Sequence, residues 1–128
     1  MKIAYMLAVA ANTFLLPPSA QADGPIDPTK GCKSNPALVG ACFALRGRVF
    51  PAQGACPMRI WPVGSKRYLC VLPPEDEIAP PAIKDQFDFD KNIFADLVVC
   101  PFSEQRAGEM QFVCIESARN LRVESNVR

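Results

Sequence analysis

Residues 94–115, FADLVVCPFSEQRAGEMQFVCI, decide the fold of this chain. Two apolar runs, 94–102 and 110–115, flank a polar stretch that contains Gly108, a pattern typical of a β-hairpin. Because side chains alternate along a strand, one face of this hairpin is wholly apolar. The side chains that the alternation places there are Ala95, Leu97, Val99, Val113 and Ile115. We therefore expect a central hairpin that lines the core.

An earlier stretch, residues 56–72 (CPMRIWPVGSKRYLCVL), predicts another hairpin. Its two cysteines are equidistant from Val63, so an antiparallel register can place them opposite each other. In that register one face carries Cys56, Met58, Ile60, Tyr68, Cys70 and Leu72. The other face carries Arg59, Trp61, Arg67, Leu69 and Val71.

The remaining segments complete an all-β pattern. Residues 41–50 alternate as a half-buried strand, and 23–37 form a loop-rich lead-in. Residues 73–92 form a long connection with a helical turn near 82–87, and Leu121 and Val123 can extend the last strand. About five strands predict a small disulfide-stabilised antiparallel barrel of OB-like type, with an irregular sandwich as the alternative.

Residues 1–22 predict a cleavable secretory signal peptide. Lys2 is followed by an apolar run of about 14 residues, shorter than the roughly 20 that a membrane-spanning helix needs. Pro17 and Pro18 then precede the small residues Ser19–Ala22, which form an A-x-A cleavage site. Cleavage would leave 23–128 as one domain, either periplasmic or secreted, with no remaining membrane contact.

The six cysteines favour disulfides over a metal site, because the chain has no histidine and no closely spaced cysteine pair. All six follow the signal peptide: Cys32, Cys42, Cys56, Cys70, Cys100 and Cys114. Hairpin symmetry favours the bridges Cys56–Cys70 and Cys100–Cys114. Elimination then leaves Cys32–Cys42. We expect no metal and no cofactor.

Charge is unevenly distributed along the chain. Without Lys2, thirteen Lys and Arg balance thirteen Asp and Glu. Residues 30–74 nevertheless carry seven basic side chains and no acid, whereas 75–96 carry seven acids against two lysines. A neutral total argues against general nucleic-acid binding, and the segregation predicts a local positive field.

Four strings resemble those of small exported bacterial proteins of unknown function: CFALRGR at 42–48, RIWPVGS at 59–65, VCPF at 99–102 and GEMQFVCIESA at 108–118. The resemblance implies a periplasmic or secreted bacterial protein and carries no activity. In such relatives, positions 56 and 70 are not normally cysteine. The presence of both Cys56 and Cys70 here therefore suits a disulfide that was added as a pair.

No catalytic constellation is predicted. The absence of histidine excludes histidine general bases and triads. Ser65 beside Lys66 is more typical of a solvated turn than of a Ser-Lys nucleophile. Residues 88–92 imitate half of a calcium loop but lack its glycine and its last glutamate. We therefore expect that the protein is not an enzyme.

The candidate ligand-binding residues form a basic face with one indole. They are Arg46, Arg48, Arg59, Trp61 and Arg67. Guanidinium groups bind carboxylates and phosphates bidentately, and OB-like barrels bind oligosaccharides or oligonucleotides on a sheet face. The sequence thus favours a non-enzymatic binding module of the bacterial envelope, whose partner is an anionic polymer or an envelope protein. One alternative is that the arginines face solvent, paired with the acidic stretch 75–96, and that Trp61 belongs partly to the core. The other is a small disulfide-rich inhibitor of a secreted hydrolase that projects 73–81.

Overall fold

A computed structural model describes residues 22–73 and 79–125. Most of the predicted signal peptide, the acids Glu75–Glu77 and the last three residues lie outside this part of the chain. Its elements are β1 (Phe43–Pro51), β2 (Met58–Pro62), β3 (Leu69–Val71), α1 (Pro81–Lys84), β4 (Lys91–Pro101) and β5 (Gln111–Ser125). The lead-in before β1 contains no strand or helix, as predicted.

The five strands form one sheet that closes into a ring in the order β1-β2-β3-β5-β4. β4 returns to pair with β1, so the predicted small all-β barrel is confirmed over the irregular sandwich. Four of the five strand pairings are antiparallel, and β3 pairs with β5 in parallel. The only helix in the described ranges, α1, lies in the connection between β3 and β4.

The interior of the ring is filled by aliphatic side chains from every strand. The fully buried members include Val49, Met58, Ile60, Leu69, Ile93, Leu97, Val99, Val113 and Ile115. Gly47 allows this packing, because a Cβ there would lie 2.7 Å from both Ile60 Cγ2 and Leu45 Cδ1. Ile83 of α1 is also fully buried and belongs to the same core.

The β4–β5 hairpin has the predicted register, with Cys100 opposite Cys114. The predicted β2–β3 register is wrong. Arg59 lies opposite Cys70, three residues from the Arg67 that symmetry about Val63 would place there. β2 begins only at Met58, and residues 63–68 separate it from β3. An odd shift exchanges the faces, so Leu69 and Val71 point inward in place of Tyr68 and Leu72.

All six cysteines are in disulfides, and the predicted Cys56–Cys70 bridge is confirmed. The other two predicted pairings are wrong, since the bridges are Cys32–Cys114 and Cys42–Cys100. These two bridges form because the segment before β1 folds back over the β4–β5 hairpin, where the Val39 N–H donates to Pro101 O at 3.0 Å. The loops closed span 82 and 58 residues, for which chain entropy gives about 4–4.5 kcal/mol each. Three disulfides in so small a domain fit an oxidising extracellular environment.

Candidate functional site

The outer face of β1 and β2 alternates arginines with aromatic rings. Arg48 on β1 lies opposite Trp61 on β2, and Phe50 on β1 lies opposite Arg59. All four side chains are half-buried and point away from the core, because their neighbours Val49 and Ile60 fill it. Tyr68 adds a third ring, 43% exposed, in edge contact with Phe50 at 5.5 Å between centroids.

Arg48 is held by stacking rather than by hydrogen bonds. Its guanidinium carbon lies 4.8 Å from the Phe50 ring centroid and 5.2 Å from that of Trp61. The Trp61 ring is fixed in turn, since Nε1–H donates to Ser65 O at 2.9 Å. Within the described chain, Arg48 Nε is buried without a hydrogen-bond partner, and the terminal nitrogens make no hydrogen bond. The guanidinium is therefore positioned and still has donors to offer to a ligand.

Arg59 and Arg67 are oriented by neutral acceptors. Arg59 Nε donates to Cys56 O at 3.2 Å and Nη2 to Gln53 O at 3.4 Å, which ties it to the β1–β2 loop. Arg67 Nη1 donates to the Oε1 of buried Gln111 at 3.3 Å. It lies in the β2–β3 connection, not on a strand as predicted. Neither forms an ion pair with another described residue.

Arg46 shares the face but not the surroundings of Arg48. Its Nη1 donates to Asp96 Oδ1 at 3.2 Å and to Asn120 O at 2.9 Å. The hydrogen bonds from Asn120 and Arg46 hold the pKa of Asp96 below its ordinary value of 3.8, so the carboxylate stays charged at neutral pH. Of the five predicted residues, Arg46 is the one whose charge is already paired.

No carboxylate competes for the other arginines within β1 to β3. Residues 43–71 carry five basic side chains and no acid. Across the described ranges the ion pairs are Arg46–Asp96 and Arg122–Glu124, neither of which includes Arg48, Arg59 or Arg67. We use the name basic face for Arg48, Arg59, Trp61 and Arg67 together with the rings of Phe50 and Tyr68.

A groove of about 290 Å³ continues the basic face towards the β4–β5 loop. Lys66, Arg67 and Tyr68 line one side, and Arg106 and Glu109 line the other. The groove is therefore positive overall. Sequence reasoning missed it because Arg106 lies nearly forty positions from Arg67.

Phe50, Tyr68, Phe94 and Arg122 are further residues of the outer surface that the sequence did not single out. Arg122 on β5 stacks over Phe94 on β4 at 4.7 Å, and Phe94 lies opposite Arg48 in the β1–β4 pair. Alternation along β1 could have placed Phe50 on the outer face, because it alternates with Arg46 and Arg48 at every second position. No pattern near Arg122 in the sequence predicts its contact with Phe94.

The other candidate catalytic and metal-binding residues, Ser65 and the cysteines, make structural contacts. Ser65 Oγ donates to Pro62 O at 2.7 Å, the geometry of a turn serine. Among the residues described, the one metal-like group is Cys32, Cys100 and Cys114, whose sulfur atoms are all in disulfides. Outside the core, Phe89 is 85% exposed beside a small cleft of Pro51, Pro57 and Phe87.

Comparison with protein-family models, with curated proteins and with solved structures returned no match. Within 22–73 and 79–125, no helix has the length and apolar character needed to span a membrane.

Proposed function

We propose that this protein is an exported, non-enzymatic binding module of the bacterial envelope, which binds an anionic polymer or partner through the basic face. The observation that carries the proposal is Arg48, whose guanidinium is fixed between two rings while its nitrogens make no hydrogen bond to any other described residue. An arginine held in place loses less side-chain entropy on binding an anion than a free one does.

The surroundings of Arg48 support an anionic ligand. Arg59 and Arg67 flank it, and among the described residues neutral acceptors orient them and no carboxylate pairs with them. Fields from several uncompensated cations add, which attracts a negatively charged ligand and speeds its association.

The disulfides and the signal sequence support the location. Three bridges persist in an oxidising compartment, and the sequence predicts a secretory signal before them. A periplasmic or secreted module would meet envelope proteins and anionic polymers there.

Retention on immobilised heparin, a linear sulfated glycan, tests the proposal. The variant R48Q/R59Q removes two charges of the basic face and keeps aliphatic stems that pack on the rings. The matched control K30Q/K33Q removes two exposed charges of the lead-in. We expect the face variant to elute at clearly lower salt and the control to elute with the wild-type protein.

If both variants elute at the same salt concentration and melt at the same temperature as wild-type protein, the proposal is wrong. The hydrolase-inhibitor alternative predicts a different result, namely recovery of one stoichiometric enzyme from periplasmic extract. Of its projecting segment 73–81, residues 74–78 lie outside the described chain.

A further inference from the structure

A row of alternating cations and rings crosses four neighbouring strands. Arg122 on β5 lies opposite Phe94 on β4, Phe94 opposite Arg48 on β1, and Arg48 opposite Trp61 on β2. All four residues point away from the core, whose inward neighbours include Ile93 and Val49. The row therefore runs perpendicular to the strands along the outside of the ring.

Both arginines of the row lean in the same direction. Arg122 stacks on the Phe94 ring of the next strand at 4.7 Å, and Arg48 stacks on the Trp61 ring of the next strand at 5.2 Å. Arg48 and Arg122 lie on strands two positions apart in the sheet, and with about 4.8 Å between neighbouring strands these two strands lie about 10 Å apart.

We propose that the row binds an unbranched acidic polysaccharide with one carboxylate per disaccharide, lying across β2, β1, β4 and β5. This rests on the proposed function and extends its site to Phe94 and Arg122. A disaccharide unit spans about the separation of two alternate strands, roughly 10 Å. Successive carboxylates would then meet Arg48 and Arg122 as bidentate partners.

Single-stranded nucleic acid fits the row less well. Its bases bind such surfaces by stacking on open aromatic rings, whereas guanidinium groups already cover the Phe94 and Trp61 rings. The formal net charge of the whole chain is only +1, which gives little general attraction to nucleic acid.

The neighbouring row explains why the ligand would stay in register. One step along the strands, Arg46 and Arg119 lie on either side of Asp96. Asp96 pairs with Arg46, so this row repels a carboxylate at its centre. At the other end Arg122 contacts the Glu124 carboxylate at 3.2 Å through a single exposed ion pair, which an incoming bidentate carboxylate can replace, whereas Arg46 is held by both Asp96 and Asn120 O.

Binding of hyaluronan oligosaccharides tests the row, since hyaluronan carries one carboxylate per disaccharide. Trp61 is the only tryptophan of the chain, so intrinsic fluorescence reports binding at the Arg48 stack. We expect the hexasaccharide to bind wild-type protein about tenfold more tightly than the disaccharide, because a second charged contact forms. Arg122→Gln should remove this gain, so that the hexasaccharide affinity read from Trp61 falls to that of the disaccharide.

Arg119→Gln is the matched control, with the same charge change on the same strand. Arg122 has 64% of its side chain exposed, so its replacement should leave thermal melting unchanged. If R122Q binds the hexasaccharide like wild-type protein, the row is not the site, although heparin retention through the basic face can still hold. Tighter, Arg122-dependent binding of oligothymidylate would overturn the polysaccharide class. If wild-type protein binds neither heparin nor hyaluronan, this inference and the proposed function are both wrong.

Discussion

Arg46 and Arg48 lie two positions apart on the same face of β1, yet their surroundings are opposite. Arg46 donates to Asp96 at 3.2 Å, whereas Arg48 stacks on two aromatic rings with its Nε unpartnered. The neighbouring strand makes the difference. β4 places Asp96 opposite Arg46 and Phe94 opposite Arg48.

The comparison shows that the cross-strand neighbour decides whether a surface cation is available to a ligand. A carboxylate neighbour compensates the charge, and a ring neighbour orients it while leaving the charge in place. Two arginines that look equivalent along the strand therefore differ in whether a carboxylate compensates their charge. Arg48 belongs to the basic face, and Arg46 links β1 to the β4–β5 hairpin.

Exchanging each arginine for glutamine gives the largest expected contrast. Arg48→Gln should weaken hyaluronan hexasaccharide binding about tenfold or more, because a charged hydrogen-bonding contact is lost. Arg46→Gln should change the affinity by less than about twofold, since Asp96 and the Asn120 carbonyl already hold its guanidinium. Isothermal titration measures both. Equal losses in the two variants would show that stacking does not distinguish Arg48.

Removing the carboxylate beside Arg46 should have a smaller effect of opposite sign. Asp96→Asn takes away the negative charge at the centre of the neighbouring row, so hexasaccharide binding should strengthen by about two- to fivefold. The gain should disappear in the double variant D96N/R46Q, which restores the local charge balance. A gain that survives in the double variant would mean that Asp96 acts without Arg46.

The pH dependence of melting gives the smallest effect. The hydrogen bond from Asn120 and that from Arg46 lower the pKa of Asp96 in the folded state. The stabilisation is therefore present above the ordinary pKa of 3.8 and is lost as pH falls through the lower folded value. Between about pH 6 and about pH 2, wild-type protein should lose its melting advantage over D96N. A constant difference across this range would contradict the Asp96 assignment.

Local sequence patterns predicted the parts of the fold that depend on near neighbours. The β4–β5 hairpin combines long alternating strands with a symmetric cysteine pair, so its register followed from alternation and symmetry. β3 has only three residues, and all are buried. It therefore shows no alternation of buried and exposed side chains from which the correct register could be recognised. Symmetry about Val63 then gave a register three residues away from the true one.

Long-range contacts were out of reach. Cys114 and Cys100 form disulfides with Cys32 and Cys42, which precede β1. No periodic pattern in the sequence indicates that the segment before β1 lies over the hairpin. The basic face was largely predicted, because alternation alone orients Arg48, Arg59 and Trp61. The pairing of Arg46 and the contribution of Arg122 depend on how β4 and β5 align with β1.

The central claim is that Arg48, and not Arg46, meets the ligand. Nuclear magnetic resonance of the arginine Nε–H groups can follow both during titration with hyaluronan hexasaccharide, since the buried Arg48 Nε–H is shielded from solvent. A large saturating shift for Arg48 with little change for Arg46 is the predicted result. An Arg46 shift equal to that of Arg48, or no Arg48 shift at saturating hexasaccharide, would contradict it.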